Sequence, residues 1–232
     1  WSGNFELTLD GVTEHHKHML VGEKLNAGEL VIHPNDTYSA PTVYAVYSSH
    51  GLSFASQQFH QFVRSGLRHE NTPRPVTLNT WEAVYFDHNF ETLTKLADVA
   101  AYVGVERFVL DDGWFSGRRN DTAGLGDWIV DSSVWPNGLT PLINHVKSLG
   151  MEFGIWCEPE MVNPDSQLYR QHPDWVLHSG ENTPITGRNQ LVLDLSQIDV
   201  RNYLFNCISQ LLDEHDISYV KWDHNRDLVA SP

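Results

Sequence analysis

The chain has 232 residues, 41% of them hydrophobic and 11% aromatic, with no low-complexity tract, which is enough to bury a substantial core in one large domain or one and a fraction. Thirty acidic against fifteen basic residues give a formal charge of −15, and no Lys/Arg cluster exists to neutralise a row of phosphates, so nucleic acid and anionic membrane are excluded as expected partners. No apolar run approaches the roughly 18–20 residues that span a bilayer, and the opening Trp1–Phe5 lacks the basic and apolar regions of a signal peptide.

Residues 1 to about 55 alternate polar and apolar positions in short runs, Phe5–Leu9, Leu30–Ile32 and Thr42–Tyr47, which predicts antiparallel strands. Gly51–Leu67 then carries Phe54, Phe59, Phe62, Val63 and Leu67 at near-helical spacing, and the Pro-containing stretch Arg68–Pro75 reads as a linker and domain boundary. After Pro75 short apolar strands alternate with longer amphipathic segments, the pattern of a parallel βα arrangement. The predicted strands are Val76–Trp81, Arg107–Leu110, Met151–Trp156 and Ile217–Trp222, and the predicted helices are Asn89–Val103, Gly138–Leu149 and Gln197–Glu214. Between the third strand and the last helix lie four prolines, a short helix near Asp165–Arg170 and a strand-like Leu191–Leu195, together read as an insertion.

Such units fit the first half of a (β/α)8 TIM barrel, an α/β fold whose active site gathers at the C-terminal ends of the strands. A doubly wound sheet gives the same alternation, but no Gly-x-Gly-x-x-Gly turn follows any strand. Each predicted strand ends in chemically capable groups: Trp81, then Asp111-Asp112, then Trp156 with Glu158 and Glu160, then Lys221-Trp222-Asp223 with Asn225. Carboxylates that accept sugar hydroxyls, an aromatic wall and one carboxylate for anomeric attack are the parts a glycosidase needs. Lys221, two residues before Asp223 and on the same side of the strand, is expected to stabilise its charged form. Consecutive strand residues point to opposite sides, so only one of Asp111 and Asp112 need face a pocket unless the turn begins at Asp111.

Four motifs, Leu110-Asp-Asp-Gly-Trp-Phe115, Trp156-Cys-Glu-Pro-Glu-Met-Val-Asn163, Gly187-Arg188 and Tyr219-Val-Lys-Trp-Asp-His-Asn-Arg226, closely resemble glycoside hydrolase family 36, the α-galactosidases. The resemblance runs from about Val76 to the end, and it implies that 71–232 is the first half of the catalytic barrel, while 1–70 is similar to the tail of that family's N-terminal β-sandwich domain with a linker helix. It also implies that Asp223 is the nucleophile of a retaining double displacement on α-galactosides such as melibiose and raffinose. Asp111 and Asp112 would bind the C4 and C6 hydroxyls, Trp81 and Trp156 would wall the galactose pocket, Lys221 and Arg188 would be its hydrogen-bonding cations, and Asn225 would meet the C2 hydroxyl. His224 stands where the family more often has Met. Glu158 and Glu160 receive no direct role.

In that family the general acid/base comes from a later strand, so the chain alone is expected to be inactive or nearly so. The missing initiating Met and the ending at Ser231-Pro232 lead to the expectation of a piece of a longer polypeptide, a homo-oligomeric dimer or tetramer at full length. No cofactor and no metal are expected. Glu14-His-His-Lys-His18 has the wrong spacing for a metal site and reads as a solvated turn. Cys157 and Cys207 sit in apolar stretches, as buried free thiols of a cytoplasmic protein would. The alternatives are galactosyl transfer or N-acetylgalactosaminidase activity on the same fold, and a non-catalytic carbohydrate-binding module.

Overall fold

The computed structural model describes residues 4–68, 72–180 and 182–228. The chain divides into two compact units, Trp1–Thr72 and Pro73–Pro232.

In the first unit β1 (Phe5–Gly11) and β2 (Lys17–Glu23) form an antiparallel hairpin, in register from Phe5 opposite Glu23 to Gly11 opposite Lys17. Its connection contains His15 and His16 as an exposed turn, closed by Val12 N donating to the His16 carbonyl and by the Thr13 hydroxyl paired with His16 Nδ1. Helix α1 (Leu52–Ser65) follows where the spacing of Phe54, Phe59, Phe62 and Val63 predicts it. The strands expected at Leu30–Ile32 and Thr42–Tyr47 are not formed. Alternation makes a strand only where a second edge accepts its ladder hydrogen bonds, and among the described residues none pairs with these two runs.

The second unit is built on an all-parallel sheet in the order β3 (Thr77–Asn79), β4 (Arg107–Leu110), β5 (Glu152–Cys157) and β8 (Tyr219–Trp222). Helices α3 (Phe90–Tyr102), α4 (Thr140–Ser148) and α6 (Ile198–Glu214) make the crossovers that parallel pairing requires. Helix α3 begins where the Asn89 side chain accepts the Thr92 N–H at 3.1 Å, buries Leu93, Ala97 and Ala100, and stops before Gly104. Phe108, Leu110, Phe153 and Ile155 are wholly buried, which accounts for the near-continuous apolar reading of these strands. Gly154 in β5 has no room for a side chain: a Cβ would stand 3.0 Å from both Val109 Cγ2 and Tyr219 Cδ1.

Two strands are shorter than their apolar runs. Val76–Trp81 narrows to Thr77–Asn79 because the Thr80 carbonyl accepts from Ala83 and Val84, turning the chain into α2 (Trp81–Val84). Trp81 therefore opens a helix rather than closing a strand. Ile217–Trp222 narrows to Tyr219–Trp222, since the β5 ladder reaches β8 only from Gly154 opposite Tyr219. The interval read as an insertion belongs to the same core. There β6 (Met161–Val162) pairs antiparallel with β7 (Leu191–Val192), α5 (Gln167–Gln171) lies between them in sequence, and Met161, Val162, Leu168, Val176 and Leu191 are buried.

Candidate active site

The C-terminal ends of the four parallel strands converge on one cavity of about 290 Å3. Trp81, Asp111, Asp112, Trp156, Arg188, Lys221, Asp223 and Asn225, the eight residues named from sequence, all line it, joined by Phe86, Arg118, Asp121, Glu158 and Gln190. A wider cleft of about 660 Å3, bordered by Ile185, His224 and Leu228, shares Arg188 and Asn225 with it.

Asp223 follows β8 directly, and its carboxylate is held by three donors. Trp156 Nε1 and Asn225 Nδ2 each reach Oδ2 at 2.8 Å, and the His224 amide reaches Oδ1 at 2.9 Å. Burial works against the charge, but these hydrogen bonds with the nearby Lys221 outweigh it and hold the carboxyl below its ordinary range. A carboxylate kept ionised and aimed at a cavity from a strand end is a nucleophile's or an electrostatic stabiliser's arrangement.

Strand β4 ends at Leu110, and the turn begins at Asp111, so both aspartates reach the same cavity. Asp111 accepts from Lys221 Nζ at 2.8 Å and from Asn79 Nδ2 at 2.5 Å, while its amide donates to Thr80 Oγ1. Asp112 is gripped in a fork by Arg118, with Nε at 2.9 Å from Oδ1 and Nη2 at 2.8 Å from Oδ2. Burial pushes the Asp112 carboxyl above its ordinary range, against the pull of that guanidinium. Gly113, at φ 116°, completes the turn against the His88 ring, whose Nε2 would lie 3.2 Å from any Cβ placed there. Burial lowers the His88 imidazole to about 4.

Glu158 forms the cavity floor beside Asp223. It accepts the Asn225 amide N–H at 2.6 Å and Gln190 Nε2 at 3.1 Å. Burial, with repulsion from Asp223 behind it, pushes its carboxyl above the ordinary range despite those donors. Glu160 lies farther out, accepting from Trp222 Nε1 at 2.9 Å. Among the described residues no group of His, Cys, Asp and Glu is disposed to hold a metal ion.

Residues 37–232 match the family model described as Melibiase. The chain belongs to the Melibiase family. Its relatives include an alpha-galactosidase of Escherichia coli, 48% identical over all of this chain and 33% of that protein, and alpha-galactosidase AgaA of Geobacillus stearothermophilus, 47% identical over 86% of this chain and 28% of that one. The chain thus spans about a third of the length of the curated relatives it matches. Among solved structures, the GH36 alpha-galactosidase AgaB from Geobacillus stearothermophilus superimposes with a TM-score of 0.77 at 49% identity, over 80% of this chain and 26% of its own. The galactosidase domain of alpha-galactosidase-sucrose kinase AgaSK gives 0.88 at 42% identity, over 97% and 32%. Variants of AgaA have been solved in complex with raffinose and with stachyose. The AgaB and AgaA structures are described as GH36 alpha-galactosidases, in agreement with the family 36 resemblance of the motifs.

Lys221 helps to hold Asp223 charged, as the sequence reading expects, while its direct ion pair is with Asp111. Within this Melibiase-family chain one placement differs from that reading. Trp156 is 2% exposed and stacks parallel to Phe115 with centroids 6.3 Å apart, so it meets the cavity with its indole nitrogen rather than with a ring face. Trp81, half-buried on α2 and braced edge-on by Tyr85 and Phe86, remains as an aromatic wall. Sequence reasoning passed over Arg118. It lies in the Gly-rich loop after β4, where an arginine reads as solvated, and only its spacing of six from Asp112 hinted at the pair.

Proposed function

We propose that the protein containing this chain is a retaining α-galactosidase that removes terminal α-D-galactosyl residues from galacto-oligosaccharides by double displacement. The observation that carries this reading is Asp223: an ionised carboxylate fixed by Trp156, Asn225 and the His224 amide, at the rim of a cavity whose opposite side offers two buried aspartates. An axial hydroxyl at C4 and the hydroxymethyl at C6 are adjacent donors, and a pair of consecutive carboxylates is the acceptor set that suits them. Attack by Asp223 on the anomeric carbon breaks the bond to the leaving oxygen and forms a β-linked galactosyl ester. Water then attacks the same carbon and restores the α configuration. The second carboxyl, which protonates the leaving oxygen and then deprotonates the water, stands about 5–5.5 Å from the nucleophile in retaining enzymes. In this reading it comes from a later strand of the whole protein.

The four-stranded parallel sheet with its three crossover helices supports reading the second unit as strands one to four of a (β/α)8 barrel, and the hairpin of the first unit supports reading it as the tail of a β-sandwich. The wider cleft that shares Arg188 and Asn225 suits the rest of an oligosaccharide such as the raffinose or stachyose bound by AgaA. The test is hydrolysis of p-nitrophenyl α-D-galactoside by the full-length protein, with the product anomer followed by NMR. Release of α-galactose first, with no turnover of the α-glucoside, is expected. Release of β-galactose would overturn retention, and turnover confined to N-acetylgalactosaminides or to glycosyl transfer would move the activity to those relatives of the reaction.

A further inference from the structure

Asn163 ends the sequence motif that begins at Trp156, directly after β6, and it does not itself line the cavity but stands behind residues that do. It is wholly buried, and its amide uses its full hydrogen-bonding capacity. Oδ1 accepts from Arg118 Nη1 at 3.0 Å and from the Leu125 amide at 2.9 Å, and Nδ2 donates to the Asn189 carbonyl at 2.7 Å and the Asp121 carbonyl at 3.3 Å. A flipped amide would set donor against donor at one end and acceptor against acceptor at the other, so a single orientation is permitted. Arg118 is the fork on Asp112. Asn189 belongs to a tight turn, Gly187 to Gln190, closed by two backbone hydrogen bonds, in which Arg188 (φ 53°) and Asn189 (φ 60°) are both left-handed. Two successive non-glycine residues in that region are strained, and such strain persists only where surrounding contacts over-determine it.

Asn163 reaches both sides because β6 pairs with β7 in the register Val162 opposite Leu191, which lays it beside the turn preceding β7. We propose that Asn163 is a positioning residue: with Arg118 it is a buried brace that ties the Asp112 carboxylate on one side of the cavity to the Arg188 turn on the other, fixing the two sugar-binding walls in one register. The inference rests on the reading of Asp112 and Arg188 as galactose-binding groups. An error of about 1 Å in the placement of such groups costs roughly 100-fold in rate.

The test uses the full-length protein with Asn163→Ala, Asn163→Asp and Arg118→Lys. The aspartate is nearly isosteric but sets an oxygen against the Asn189 carbonyl and offers Arg118 a rival carboxylate. All three are expected to lose about 100-fold in kcat/KM on p-nitrophenyl α-galactoside, mainly through KM, because contacts to sugar hydroxyls bind ground and transition states alike. In an Asp112→Asn background the Asn163→Ala change is expected to cost less than about 3-fold, since the wall it positions is already lost. An equal loss in both backgrounds, or a loss below about 3-fold in the parent with only a lower melting temperature, would overturn the brace. If Asn163→Ala does not fold, Arg118→Lys, which keeps the charge but not the fork, is read by the same cycle. A parent without α-galactosidase turnover would overturn the proposed function alone. The brace is then read from the galactose-induced rise in melting temperature, which must be present in the parent and lost in the variants. A rise retained in the variants, or absent from the parent, overturns it.

Discussion

Three donors around Asp223 decide what that side chain can do. A half-buried carboxylate would ordinarily drift upward in pKa, and the Trp156, Asn225 and His224 hydrogen bonds reverse the drift. Replacing Trp156 by Phe keeps the ring stacked on Phe115 and deletes the Nε1–H. A hydrogen bond to a charged group contributes about 1.5–3 kcal/mol, so kcat/KM is expected to fall roughly 10- to 100-fold. Because the donor favours the ionised form, its loss raises the Asp223 pKa, and the acid limb of the kcat/KM profile moves to higher pH. An unmoved limb would remove Trp156 from the account. Glu158 has the opposite sign. Burial raises its carboxyl above the unfolded value of 4.5, so the folded state keeps the proton longer. Its contribution to stability is full below that value and declines as pH rises through the folded one. Glu158→Gln abolishes the decline, and the buried Gln190 Oε1, which has no partner among the described residues, can turn to receive the new amide. The melting temperature of the variant relative to wild type is therefore expected to rise between about pH 4.5 and neutrality, and a flat difference would contradict the assignment.

At the scale of elements, the loop between β4 and α4 does what loops on a rigid parallel sheet do: it carries the groups that line the cavity, here Asp111, Asp112 and Arg118. Gly124 closes that loop at φ 81°, and a Cβ would come within 2.7 Å of the Ser116 carbonyl and 2.8 Å of the Arg118 amide. Both are backbone, so the loop itself must shift. Gly124→Ala is expected to destabilise by more than about 2 kcal/mol, whereas Gly138→Ala, at φ 68° but in open space, costs about 1 kcal/mol from conformation alone. Equal losses in chemical denaturation would show that crowding at Gly124 is relieved elsewhere. The strand Arg107–Leu110 and the three crossover helices of the second unit were legible because burial on one stripe or on both faces writes itself as periodicity. The runs Leu30–Ile32 and Thr42–Tyr47 misled because alternation records a potential face, not the partner edge that turns it into a strand. Trp81 was legible as a site residue but not as the start of a helix, which a Thr80 carbonyl decides. Arg118 and Asn163 were hidden for a different reason: what matters is whom they touch, Asp112 six positions before Arg118 and Arg118 45 positions before Asn163, and a pairing is not written in either residue alone.

On the scale of the whole molecule, the second unit brings residues from Trp81 to Asn225 into one cavity through four parallel strand ends, so the site depends on the sheet's register rather than on any single segment. Within a net charge of −15, positive charge at the cavity is placed locally, on Asp111 by Lys221 and on Asp112 by Arg118. The proposed function turns on one bond, between Asp223 and the anomeric carbon. In the full-length protein Asp223→Gly removes the proposed nucleophile and opens space for a small anion. Assayed on p-nitrophenyl α-galactoside, the variant is expected to be inactive until azide is added and then to release β-galactosyl azide. Turnover that survives the substitution, or azide that yields α-galactosyl azide, would contradict Asp223 as the nucleophile.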